Sequence, residues 1–145
     1  MQIMQNCDIH SGEIYFLNPN PMIGNPCANG FWTDRPAVVI SNDDYNEGPD
    51  VLAVFLTRKA DDEAKEYYKR ISPRQVTVEC GGRPATALCS LVYIVSKDDL
   101  EDRIEIITQN ELLRIIDEVK KDELDPYYLD NLYQPGAPEN DLQIE

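Results

Sequence analysis

The sequence predicts a mainly β, α+β domain: a small, strongly bent sheet or barrel closed by one C-terminal helix. Three observations carry that expectation. Short runs of β-branched and aromatic residues recur between glycine, proline and asparagine turns. A capping-box pattern, Thr108-x-x-Glu111, opens an amphipathic run near the C-terminus. The chain has 145 residues, enough for one core and too few for two. The expected organisation is a barrel with its helix over residues 1–124, then an acidic, flexible tail over 125–145.

Gly12-Glu13-Ile14-Tyr15-Phe16-Leu17 alternates as a strand, and Asn18-Pro19-Asn20-Pro21 stops it with turn residues and two missing donors. An aperiodic loop follows as far as Asp34, long enough to suggest a functional role. Within it Trp32, the only tryptophan, is a candidate for stacking a base or for pinning the loop to the core. Val38-Val39-Ile40 and 51–57 are continuous apolar runs, read as strands buried on both faces. Residues 58–74 form a polar excursion, a solvated loop or short helix, with Lys65, Lys69, Arg70 and Arg74 interleaved with acids. Residues 75–79 alternate as a half-exposed strand, and Cys80-Gly81-Gly82 supplies a tight turn. The run 85–95 reads as one long strand with a bend near Ser90. After a turn at 97–100, residues 103–107 alternate as the last strand. The helix from Thr108 places Leu112, Leu113, Ile115, Ile116 and Val119 on one face and ends at Asp125-Pro126.

The formal net charge of −14 is unevenly spread. Residues 1–97 carry nine Lys or Arg against twelve Asp or Glu, and residues 98–145 carry four against fifteen. Such acidity opposes non-specific binding of nucleic acid over a screening length of about 10 Å, yet leaves room for a local basic groove. No run approaches the roughly 18 apolar residues needed to span a bilayer. Met1 to His10 lacks a basic segment followed by an apolar one, so the expected compartment is the cytoplasm, where Cys7, Cys27, Cys80 and Cys89 stay reduced. Cys7-x-x-His10 has half the spacing of a zinc site and no second half follows it, so no metal is expected.

Arg35 stands at the mouth of the Val38-Val39-Ile40 strand, where a sheet can hold a guanidinium rigidly toward a ligand. Its stretch, Arg35-Pro36-Ala37-Val38-Val39-Ile40-Ser41-Asn42-Asp43, belongs to a set with Gly12-Glu13-Ile14-Tyr15-Phe16, Leu56-Thr57-Arg58-Lys59 and Arg83-Pro84-Ala85-Thr86-Ala87-Leu88-Cys89. In order and spacing these four stretches resemble the PemK/MazF family of toxins from bacterial toxin-antitoxin pairs, over roughly residues 12–124. The resemblance implies an SH3-like barrel with a C-terminal helix and a homodimer. It implies a cytoplasmic, metal-independent, sequence-specific endoribonuclease that cuts single-stranded mRNA through a 2′,3′-cyclic phosphate, needs no cofactor, and is neutralised by a cognate antitoxin. On the matching positions Arg35 and Thr57 are the implied catalytic residues, and Trp32, Arg58, Lys59 and Arg83 the implied RNA contacts. Ser90 and Leu91 stand where the family commonly has an acidic residue and a glutamine, which implies reduced activity. The alternative is a catalytically degraded barrel whose acidic surface engages a protein partner. The tail, with five acids and no Lys or Arg, also has the composition of a segment that folds back over an RNA groove.

Overall fold

The computed structural model describes residues 9–17, 36–58 and 62–135. Through them run β1 (Glu13–Leu17), β2 (Pro36–Val39), α1 (Asp43–Asn46), β3 (Asp50–Thr57), α2 (Asp62–Ile71), β4 (Gln75–Cys80), β5 (Arg83–Leu88), β6 (Tyr93–Ser96), β7 (Leu100–Ile106), α3 (Gln109–Lys120) and α4 (Pro126–Asn131). The strands form one curled antiparallel sheet in the order β4-β5-β3-β2-β1-β7, with β6 beside β3.

β3 is the axis of this sheet because its side chains are apolar on both faces. Leu52, Val54 and Leu56 point into a core with Val38, Ile40, Val76, Val78 and the α3 residues Leu112, Ile115, Ile116 and Val119. Val51, Ala53 and Phe55 point the other way, into a second core with Val39, Leu88, Val95 and the α2 residues Ala64 and Tyr68. The two-residue period of a strand thus feeds two cores, and helices cover both faces. The excursion read as a solvated loop or short helix is a helix that buries Ala64 and Tyr68 against the sheet.

The long strand expected over 85–95 is broken. β5 and β6 both lie beside β3, but the partner spends residues 86 to 93 opposite the stretch of β3 from Thr57 to Ala53. The surplus is looped out at 89–92, around the expected bend. There the Arg74 N–H donates to Ser90 Oγ at 3.1 Å and the Ser90 N–H to Ser72 Oγ at 3.0 Å, so the bend is tied to the entry of β4. Gly81 and Gly82, at φ of 65° and 81°, make the β4–β5 hairpin with both central residues at positive φ, where a side chain is strained.

β4 and β7 end the sheet, and carboxylates cover amides along the β4 edge. The Glu79 N–H donates to Glu111 Oε2 at 3.0 Å, and the Gly81 N–H donates to Glu105 of β7. Glu111 also closes the capping box at Thr108, as expected, so one side chain starts α3 and docks it against β4.

The chain does not leave the body after Leu124. Asp125 caps α4, Leu132 is fully buried, and Tyr128, Leu129 and Tyr133 pack on the α3 core. The Tyr133 N–H donates to the Ile40 carbonyl at 2.8 Å. Residues 126–135, read as tail, are therefore a docked element on the face opposite α2; aromatic and leucine side chains outweigh the acids around them. The rest of the tail, 136–145, lies outside the described residues. Among the described residues no helix is long and apolar enough to cross a membrane.

Candidate functional site

Where β3 ends, Thr57 pairs with Thr86 of β5, and Thr86 pairs in turn with Thr77 of β4. Residues directly opposite in antiparallel strands point to the same face, so three threonines form a row across the sheet. It lies on the α2 side, because Thr57 shares its parity with Val51, Ala53 and Phe55. Beside the row is a groove of about 440 Å³ lined by Thr57, Arg58, Thr77, Thr86, Gln75 and Pro84 from the sheet and by Lys65, Tyr68 and Lys69 from α2. Thr57 is buried to 3% exposure, and Tyr68 is buried against the second core.

The electrostatics of this groove depart from the rest of the chain. Among the described residues three cations line it and no acid does. Two other grooves, beside α3, are lined with Glu118 and Asp122 or with Asp117 and Glu118. Arg58 is clamped: Nη2 donates to the Cys80 carbonyl at 3.3 Å and lies 3.2 Å from Cys80 Sγ. A Cβ on Gly81 would come within 3.4 Å of that nitrogen, so the hairpin glycine also leaves room for the guanidinium. Among the described residues no acid forms an ion pair with Arg58, Lys65, Lys69 or Arg83.

Of the residues singled out by sequence, Thr57 and Arg58 meet in the groove. Arg83 is exposed at the hairpin tip, opposite Cys80 in the register and next to Pro84 at the rim. Trp32, Arg35 and Lys59 lie outside the described residues. The basic cluster of the 58–74 excursion divides. Arg74 is held by Asp122 at 2.8 Å and by Glu118 at 4.0 Å, and the Asp122 hydrogen bond raises its pKa. Arg70 lies over the Tyr67 ring. Only Lys65 and Lys69 of that cluster face the groove. Sequence reasoning treated them as solvated; their i,i+4 spacing beside a tyrosine was the signal that they share a face. Thr77, Thr86 and Gln75 were not legible as site residues, because only the register brings them to Thr57.

Several other reactive groups among the described residues lie outside the groove. Ser90 Oγ accepts from the Arg74 N–H at the bend, and the Ser90 N–H donates to Ser72 Oγ. Cys89 is buried, which pushes its thiol up to about 12. Glu13, nearly buried, accepts from Tyr15 Oη at 2.7 Å and Arg103 Nη1 at 3.1 Å. No group of three or more His, Cys, Asp or Glu among the described residues is placed to hold a metal ion.

A curled half-barrel with helices on both faces, carrying a cationic groove on an acidic chain, belongs to the class of small barrels suited to an anionic ligand. The particular family follows from comparison: residues 10–121 match the model of the PemK-like, MazF-like toxins of type II toxin-antitoxin systems, and the chain belongs to that family. A comparison with curated proteins finds no match. Among solved structures the fold is similar to that of MazF from Deinococcus radiodurans, at 18% identity and a TM-score of 0.57, covering 78% of this chain and 94% of that one. It is also similar to an endoribonuclease in complex with its cognate antitoxin from a mycobacterial species, at 18% identity and a TM-score of 0.54, covering 78% and 90%. The toxin MazF-mt6 of Mycobacterium tuberculosis is similar at 12% identity and a TM-score of 0.52, covering 75% and 93%.

Proposed function

We propose that the protein is a sequence-specific endoribonuclease of a toxin-antitoxin pair, cutting single-stranded mRNA without a metal ion. The observation that carries this reading is the groove of Arg58, Lys65 and Lys69 that begins at Thr57 and has no acid among its described lining residues, in a chain of net charge −14. A phosphodiester strand is the ligand such a groove favours, since clustered cations attract an anion that the acidic remainder of the chain repels.

In the reaction proposed, the ribose 2′-oxygen attacks the adjacent phosphorus. The bond from phosphorus to the 5′-oxygen breaks, the 2′-proton passes to a base, and the leaving 5′-oxygen gains a proton. The products are a 2′,3′-cyclic phosphate and a 5′-hydroxyl. Charge gathers on the non-bridging oxygens at the transition state, and that is where donors act. Thr57 donates its hydroxyl to one of these oxygens from the rigid end of β3. Arg35, joined by one peptide bond to Pro36 at the start of β2, supplies the bidentate cation. Arg58, Lys59 and Arg83 contact the strand, and Trp32 stacks a base. The working unit is a cytoplasmic homodimer held inactive by an antitoxin, as the family resemblance implies.

The test incubates the full chain with long single-stranded RNA in EDTA, beside Arg35→Ala and Thr57→Val, and maps both new ends. Cuts with cyclic-phosphate and 5′-hydroxyl ends that disappear in both variants support the reading. A wild-type protein that binds RNA and leaves it intact overturns it in favour of a binding barrel, the reading favoured by Ser90, whose hydroxyl and amide are engaged at the bend.

A further inference from the structure

We infer that α2 is the backbone-binding wall of the groove, with Lys65 and Lys69 forming a two-phosphate rail for single-stranded RNA; the inference rests on the endoribonuclease reading and assigns the strand's path within that site. The two ammonium groups leave one face of α2 four residues apart, about 6 Å along the helix axis, the scale that separates successive phosphates of one strand. The helix is a firm base for them, since Ala64 and Tyr68 fix it to the second core. Neither lysine has an acidic partner among the described residues, so both charges are available.

The opposite wall is chemically different. Apart from Thr57 and Arg58, which take the phosphate at the cleavage site, this wall carries the neutral hydroxyls of Thr86 and Thr77 and the amide of Gln75, whose Nε2 also donates to the Ser72 carbonyl at 3.1 Å; such groups suit ribose hydroxyls and base edges. Two cations on the helix wall against the neutral groups of Thr77, Thr86 and Gln75 orient the strand beyond the cleavage site, phosphates toward α2 and sugars and bases toward Thr77 and Thr86. Lysine reads a phosphate as a point charge, so the rail contributes affinity and register without discriminating sequence.

The test compares wild type, Lys65→Gln/Lys69→Gln and the control Lys120→Gln/Lys121→Gln at the far end of α3, measuring RNA binding across a salt series on several unrelated RNA sequences. Glutamine keeps helix propensity. The rail variant is expected to bind every RNA about ten-fold more weakly at low salt. Its slope of log K against log salt falls by about 1.4, two contacts at about 0.7 each for a single strand. The control keeps the wild-type affinity and slope. A rail variant with wild-type affinity and slope overturns the inference while wild-type cleavage leaves the enzymatic reading standing. A loss confined to one RNA sequence, or a loss of binding to poly-L-glutamate with RNA affinity intact, also overturns it, the latter assigning the lysines to an acidic polypeptide. A wild type that neither binds nor cuts RNA overturns both.

Discussion

Thr57 ends β3 with its side chain nearly buried, where replacement by valine keeps the shape and removes one hydroxyl. If that hydroxyl donates to the phosphate at the transition state, Thr57→Val lowers the cleavage rate about 10² to 10³-fold, while RNA affinity, set by the cations, changes little; single-turnover kinetics at saturating RNA check this. Cys89 is a contrasting case. Burial raises its thiol from an ordinary 9.0 to about 12, so it stays protonated at neutral pH. Iodoacetamide is therefore expected to leave it unmodified in the folded protein and to label it after denaturation, read by mass spectrometry. The sign of the linkage follows: a raised pKa stabilises the fold fully below pH 9 and loses that stabilisation as pH rises toward 12. Urea unfolding at pH 8 and pH 11 measures the fall, and Cys89→Ala reduces it. Thr57 was visible in sequence through its motif, whereas the burial that silences Cys89 follows from packing that no local pattern records.

At the scale of the element, α3 shows how one carboxylate serves two purposes. Glu111 Oε1 accepts from the Thr108 N–H at 2.9 Å and Oε2 from the Glu79 N–H at 3.0 Å. Thr108→Ala removes the cap and is expected to cost about 1 kcal/mol. Glu111→Ala removes the returning half of the cap and also leaves a β4 edge amide without its acceptor, so it costs more, about 2 kcal/mol. A double-mutant cycle by chemical denaturation is expected to show the pair as non-additive, because they share the capping box. The start of α3 was legible to the residue because a capping box is local. Its second bond was not, since Glu79 lies 32 residues away in sequence and only the curl of the sheet brings it near. The strand over 85–95 failed for a related reason: a mostly apolar run specifies extended backbone, and the three-way tie of Ser72, Arg74 and Ser90 decides where it bends.

For the whole molecule, the docked body continues past Leu124 through Tyr133. Leu132 is fully buried, so Leu132→Ala is expected to cost about 2 to 5 kcal/mol, and a chain ending at Leu124 loses at least as much. A chain ending at Pro135 keeps these contacts and melts well above the chain ending at Leu124. Thermal unfolding of the three proteins separates these outcomes, and the longer truncation is the one suited to asking whether residues 136–145 restrain RNA cleavage. Local sequence is enough for the strands that read as apolar or alternating runs, the capped helix, the Gly81-Gly82 hairpin, the acidic balance and the motif that carries Thr57 and Arg58. Each depends on neighbours within a few residues, where sterics and hydrogen bonding act directly on the local backbone. Only the tertiary structure decided that α2 covers the second face of the sheet, that α4 is part of the body, and that Thr77, Thr86, Lys65 and Lys69 stand beside Thr57. Those facts rest on strand register and on which faces are buried together, which are settled by the free energy of the whole core and by no single segment.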